Sequence, residues 1–183
     1  MSRLFVLLFL CPCLLACSLG PERIAARPEA TSTLQHLIEH DRIAVAAQPT
    51  AEDLRVLAGR GYTHIVNLRT EAEMDDRNSV PFDEAELAAE LGMSYQLLPV
   101  GGDSPYRPEV ADGVRLALED PQAKVLLHCA SGGRASQAYA AYAVQFLGMD
   151  VDAAVRETAA FGGWPLPLER MTGIRLKVVR AED

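Results

Sequence analysis

The chain has 183 residues, of which 49% are apolar, 23% charged and 6% aromatic, a globular composition that excludes a disordered or fibrous protein. That length suits one domain. A formal net charge of -8 and a pI near 5.0 argue against sequence-independent nucleic-acid binding, which lives on phosphate neutralisation, so any anion site must be a local device.

One arginine, Arg3, precedes an almost unbroken apolar run from Leu4 to Leu15. The run is too short for a membrane-spanning helix and suits the apolar centre of a signal peptide. It ends in Leu14-Leu15-Ala16-Cys17, which resembles the lipobox of bacterial lipoproteins, where cleavage precedes a diacylated cysteine. The expectation is a signal peptide over 1–16, lipidation at Cys17, a tether over 17–33 and one domain over 34–183. This implies a membrane partner through the lipid anchor and a periplasm-facing place in the bacterial cell envelope. Ser18, where inner-membrane retention would favour Asp, points to the outer membrane. An ordinary secretory signal with incidental cysteines is the alternative. Cys11, Cys13 and Cys17 fall in this region, so Cys129 is the one thiol left for the fold and has no disulfide partner there.

From Leu34 the chain alternates strand-like and helix-like pieces. Arg42–Ala46 reads as a strand stopped at Pro49, and Thr50 with Asp53 as a capping box for a helix through Leu57, ended by Gly59 or Gly61. Thr63–Leu68 is a strand with β-branched residues, Pro81–Leu91 a helix, and Tyr95–Val100 a strand leading into the turn Gly101-Gly102-Asp103-Ser104-Pro105. Pro108–Leu118 reads as a helix with proline near its start. Lys124–His128 is a buried-looking strand, and Gly133–Phe146 and Asp152–Ala160 are helices. Strands alternating with helices predict an α/β fold with a mostly parallel central sheet.

The strand before His128 delivers His128-Cys129-Ala130-Ser131-Gly132-Gly133-Arg134 directly into a helix. A loop in that position turns several backbone N–H groups toward one point, and the helix adds its unsatisfied N–H groups and dipole. Gly132 and Gly133 permit geometries closed to other residues, and Arg134 can grip an oxyanion with two donors. A thiol at the floor of this bowl ionises readily, so Cys129 is a candidate nucleophile beneath a bound oxyanion, with Ala130, Ser131, Gly132, Gly133 and Arg134 holding the anion. This chemistry calls for no cofactor and no metal.

At these residues the chain resembles the cysteine-dependent protein tyrosine and dual-specificity phosphatases. Among them it is most like the bacterial phosphatase-like domain found beside beta-lactamase-like hydrolases. Ala47–Thr50, Gly61–Arg69 with Glu71, and Tyr95–Val100 extend the likeness, which runs from about Arg42 to about Gly148. The resemblance implies a phosphorylated substrate, hydrolysed through a cysteinyl-phosphate. Cys129 would be the nucleophile, Arg134 the clamp, His128 the residue that orients the loop, and Asp103 the general acid. Asp103 also fits plain turn chemistry equally well.

Two departures from the phosphatase pattern are visible. Four residues rather than five separate Cys129 from Arg134, the spacing of rhodanese sulfurtransferases, which carry a persulfide. Ala135 stands where a Ser or Thr usually helps expel the thiolate, leaving Ser131 or Ser136 to substitute. A sulfurtransferase and a catalytically silent phosphate-binding module therefore stay open beside the phosphatase. His36 and His40 read as a solvated pair, Glu71, Glu73, Asp75 and Asp76 as acidic surface, and Trp164 as cover for a core edge.

Overall fold

The computed structural model describes residues 34, 37–159, 161 and 165–176. The signal peptide, Cys17, the tether, His36, Ala160 and Trp164 lie outside the described residues. The described strands are β1 (Ile38–His40), β2 (Ile43–Ala46), β3 (His64–Asn67), β4 (Ser94–Leu97) and β5 (Val125–His128). The helices are α1 (Ala51–Gly59), α2 (Glu71–Asp75), α3 (Glu84–Glu90), α4 (Pro108–Ala117), α5 (Gly133–Phe146), α6 (Val151–Ala159) and α7 (Pro165–Thr172).

The sheet order is β1-β2-β5-β3-β4. β1 joins β2 as an antiparallel hairpin, with Asp41 at φ 48 in the turn, and every other pairing is parallel. The α/β class and mostly parallel sheet are as expected, with β1 as an addition. Its three residues are too short to show a period of two in sequence.

Side chains on successive strand residues leave opposite faces of the sheet. Ile43, Val45, Val66, Leu68, Val125, Leu127 and Cys129 enter one core, together with the buried faces of α4 and α5. Ala44, Ala46, Ile65 and Leu126 enter the other, with Leu54 and Leu57 of α1 and Leu87 and Ala88 of α3. α5 is covered on most sides, which its run of alanines permits, since small side chains let neighbouring helices approach. Thr50 and Asp53 form the expected capping box. The α3 helix starts later than its proline suggests, because Asp83 caps it by accepting from the Glu86 N–H.

Register sets the position of the site. Ala46 and Asn67 both pair with His128, and Asn67 also pairs with Leu97, so four strands end on one row. In open parallel sheets, ligands bind beyond these carboxyl ends. Four connections leave from this row, after Ala46, Asn67, Leu97 and His128. The strand-like pairing of β4 continues past its end, where Leu98 N–H donates to the Asn67 carbonyl and Val100 N–H to the Leu68 carbonyl. Pro99 between them has no N–H to offer.

Candidate active site

Cys129 is 1% exposed at the start of the loop between β5 and α5. Gly132, the residue before α5, has φ 91, a left-handed conformation, and its N–H donates to Cys129 Sγ over 3.2 Å. That conformation turns a backbone donor onto the sulfur, and a side chain would oppose it twice. A Cβ on Gly132 would be strained at that φ and would lie 2.6 Å from the ring of Phe161. Ala130 and Ser131 are exposed at the rim, and the Ala130 carbonyl accepts from the Gln48 N–H, which ties the loop to the connection after β2.

Arg134 lies in the first turn of α5 and reaches across to two other strand ends. Its Nη1 donates to the Val100 carbonyl at 2.6 Å and to the Leu68 carbonyl at 3.3 Å. Glu73 of α2 completes the arrangement, with Nη1 donating to Oε2 and Nη2 to Oε1, both at 2.7 Å. This two-pronged pair fixes the guanidinium plane. It uses the Nη1–Nη2 edge, and the guanidinium also interacts with the Cys129 side chain, so the clamp and the thiol face one another. The Arg134 hydrogen bonds outweigh burial and hold the Glu73 carboxyl down at about 2. The same bonds keep Arg134 firmly charged against the opposing effect of burial.

Glu73 corrects the sequence expectation of a solvated acidic surface. Its own segment explains how it is placed: Thr70 caps α2 and makes a capping box with Glu73, whose Oε2 also accepts from the Thr70 N–H. The Thr-x-x-Glu spacing was the available signal, but it could not say which cation the carboxylate would meet.

His128 is fully buried and belongs by strand parity to the α3 face of the sheet, opposite Cys129. Its Nε2 lies 2.6 Å from Oε1 of the buried Glu84, an ion-pair separation, although the ring N–H is off the line of a straight hydrogen bond. Glu84 Oε2 accepts from Gln48 Nε2 at 2.8 Å, and Gln48 Oε1 accepts from Arg69 at 3.1 Å. This order is fixed because a carboxylate only accepts and a guanidinium only donates. Burial pushes the Glu84 carboxyl up, but His128, Gln48 and Arg69 together hold it below its ordinary value. Glu84 gave no signal in sequence, where it reads as one of several acids in a helix.

Asp103 sits in a tight turn closed by reciprocal hydrogen bonds between Gly101 and Ser104. A Cβ on Gly101 would come within 3.2 Å of Arg134 Nη1, so the base of the turn abuts the clamp while Asp103 stands exposed. The structure thus brings the turn to the site. Tyr106, unremarked in sequence, packs against the Cys129 core, and burial pushes its hydroxyl upward, with Arg134 opposing and the Cys129 charge adding. Ala135 is fully buried and Ser136 donates to the Gly133 carbonyl, so of the expected hydroxyls only Ser131 is exposed at the rim. His40 is not solvated as expected, because its ring stacks on Tyr139 at 4.1 Å and faces Glu157 at 3.7 Å.

Residues 35–145, more than half of the chain, match the family described as beta-lactamase hydrolase-like protein, phosphatase-like domain. A beta-lactamase hydrolase-like protein of Xylella fastidiosa is 34% identical over 103 residues, which are 55% of this chain and 23% of that protein. The chain therefore spans about a quarter of the length of the curated relatives it matches. Among solved structures, a DUF442 protein of Shewanella putrefaciens is similar at TM-score 0.60 and 20% identity, covering 76% of this chain and 90% of that one. PTPMT1 in complex with PI(5)P is similar at TM-score 0.59 and 18% identity, covering 72% and 88%. These structural likenesses carry the fold.

Proposed function

Because the chain belongs to the phosphatase-like domain family of beta-lactamase hydrolase-like proteins, we propose that it is a cysteine-dependent phosphatase that hydrolyses phosphate monoesters through a cysteinyl-phosphate. The observation that carries this reading is Cys129 held under the Gly132 N–H and facing an Arg134 locked by Glu73. The Cys129 thiolate attacks phosphorus in line, and the P–O bond to the leaving group breaks. The leaving oxygen takes a proton from Asp103. Water then attacks the phosphorus of the cysteinyl-phosphate, gives its proton to Asp103 and returns the thiolate with inorganic phosphate. Backbone N–H groups of 130–133 and Arg134 hold the equatorial oxygens throughout. The substrate is a phosphorylated protein or small molecule, and the PTPMT1 complex with PI(5)P adds a lipid head group to that class.

We also propose the anchor: cleavage before Cys17, lipidation of its thiol and a periplasm-facing membrane location, supported by the Leu14–Cys17 sequence. The second reading, a sulfurtransferase with a Cys129 persulfide, is favoured by the four-residue spacing to Arg134. Purified protein assayed in parallel with an aryl phosphate and with thiosulfate plus cyanide separates the two. Phosphate release that Cys129→Ser abolishes supports the phosphatase, and sulfur transfer alone would replace it.

A further inference from the structure

Four connections meet at the site, and three of them are tied together beneath it on the face away from the nucleophile. The ties converge on one carboxylate. Glu84 pairs with His128 at the end of β5 and accepts from Gln48 in the connection after β2. Gln48 in turn accepts from Arg69 beyond β3, and Arg69 Nη2 donates to the Glu73 carbonyl at 3.4 Å. A continuous polar chain thus runs from the cysteine strand under the sheet edge to the helix that carries the partner of Arg134. Gln48 also holds the cysteine loop from above through its N–H on the Ala130 carbonyl. The side chain of Glu84 is fully buried.

The surroundings of Glu84 are polar on several sides. His128 faces it from β5 and Arg69 from the β3 end, while Tyr95 of β4 has its hydroxyl pushed up to about 12 by burial and by the nearby Glu84 charge. On α1, which packs against α3, the acid Asp53 is taken up in the Thr50 capping box. Burying a carboxylate is costly without such partners, and an apolar residue of similar size would fill the place without that cost. The arrangement is therefore explained by what it orients rather than by stability alone.

We propose that Glu84 is a positioning residue for the reaction, holding the ends of β2, β3 and β5 in one register so that the Gly132 N–H stays aimed at Cys129 and Glu73 stays aimed at Arg134. It acts through His128, Gln48 and Arg69. The proposal rests on the phosphatase reading only for its kinetic arm.

Two different roles for Glu84 predict opposite signs. If it acted through its charge, removing a negative group near the thiol would speed alkylation of Cys129. If it acts by position, loosening the loop misaligns the N–H donors and slows alkylation. Glu84→Gln keeps the volume and removes the charge. The expected result on the full chain is a kcat with an aryl phosphate lower by about tenfold or more, since small misplacements at a reacting centre are costly, with KM within about twofold. Iodoacetamide labelling of Cys129 at pH 6 is expected to slow, and Glu84→Asp, which keeps the carboxylate that holds His128 and Gln48, is expected to recover part of both rates. If Glu84→Gln does not fold, as judged by circular dichroism and melting, the same measurements on Gln48→Leu decide, with the same signs expected at smaller size. An unchanged kcat or an unchanged or faster labelling rate in the folded variant overturns the proposal. If the wild type hydrolyses no phosphate ester, the phosphatase reading falls and the labelling rate alone judges Glu84.

Discussion

At the scale of single residues, the site is defined as much by an acid, Glu73, as by Cys129, the proposed nucleophile. Glu73 and Arg134 each have an interest in the other's charge, and the two-pronged contact makes the guanidinium a fixed template. Glu73→Gln leaves Arg134 one neutral amide acceptor in place of a two-pronged carboxylate, and kcat/KM on an aryl phosphate is expected to fall by about ten- to a hundredfold, with Arg134→Lys worse because a point charge cannot reproduce the planar contact. The pH behaviour follows from the same pair. Glu73 titrates from an ordinary value of 4.5 in the open chain to about 2 here, so its contribution to stability is present above about 4.5 and is lost as pH falls toward about 2. Acid unfolding followed by circular dichroism should show Glu73→Gln losing less stability across that window than the parent chain. Asp103 makes a separate prediction. Asp103→Asn should slow alkyl phosphate hydrolysis by about 10²–10⁴-fold and aryl phosphate hydrolysis far less, since general-acid help matters most for poor leaving groups. Equal effects on all leaving groups would remove Asp103 from the acid's role.

At the scale of elements, the loop from β5 into α5 works because its neighbours leave room for one conformation. Gly132→Ala places a methyl against Phe161 in a backbone state that L-residues avoid, so a stability loss of about 1–3 kcal/mol in urea melts is expected, together with slower labelling of Cys129. Sulfate or vanadate should protect Cys129 from iodoacetamide in the parent chain and protect the variant less. The elements also show where sequence reading succeeds. The motif from His128 to Arg134, the Thr50 capping box and the major strands were legible because each is a local pattern with a local cause. α2 was not, since five residues carry no helical periodicity and its acids look like surface. Glu84 was not, because its role depends on His128 and Gln48, which are distant in the chain and meet only after the sheet has formed. Tyr106 and Phe161 were missed for the same reason.

At the scale of the whole molecule, aligned strand ends gather every proposed catalytic group at one edge of one sheet, and no helix among the described residues is long and apolar enough to cross a membrane. The proposed membrane attachment is through Cys17. Cys17→Ser is expected to move the protein from the membrane to the soluble fraction or leave it unprocessed, and an intact mass with an unacylated N-terminus at another residue would exclude the anchor. Phosphatase activity of the purified chain should be indifferent to that change, because the proposed nucleophile and clamp, Cys129 and Arg134, lie within the α/β fold.

The two sides of the sheet where pairing stops have a consequence for how the chain behaves at high concentration. An unpaired strand offers a row of N–H and C=O groups to any passing chain and invites edge-to-edge growth. Here β1 is only three residues long and its central Glu39 is occupied by Arg60 and Tyr62. β4 is four residues long and runs within two residues into Pro99, which has no N–H with which to continue a ladder. Among the described residues each border is therefore short or interrupted and offers few groups on which a further strand could be templated.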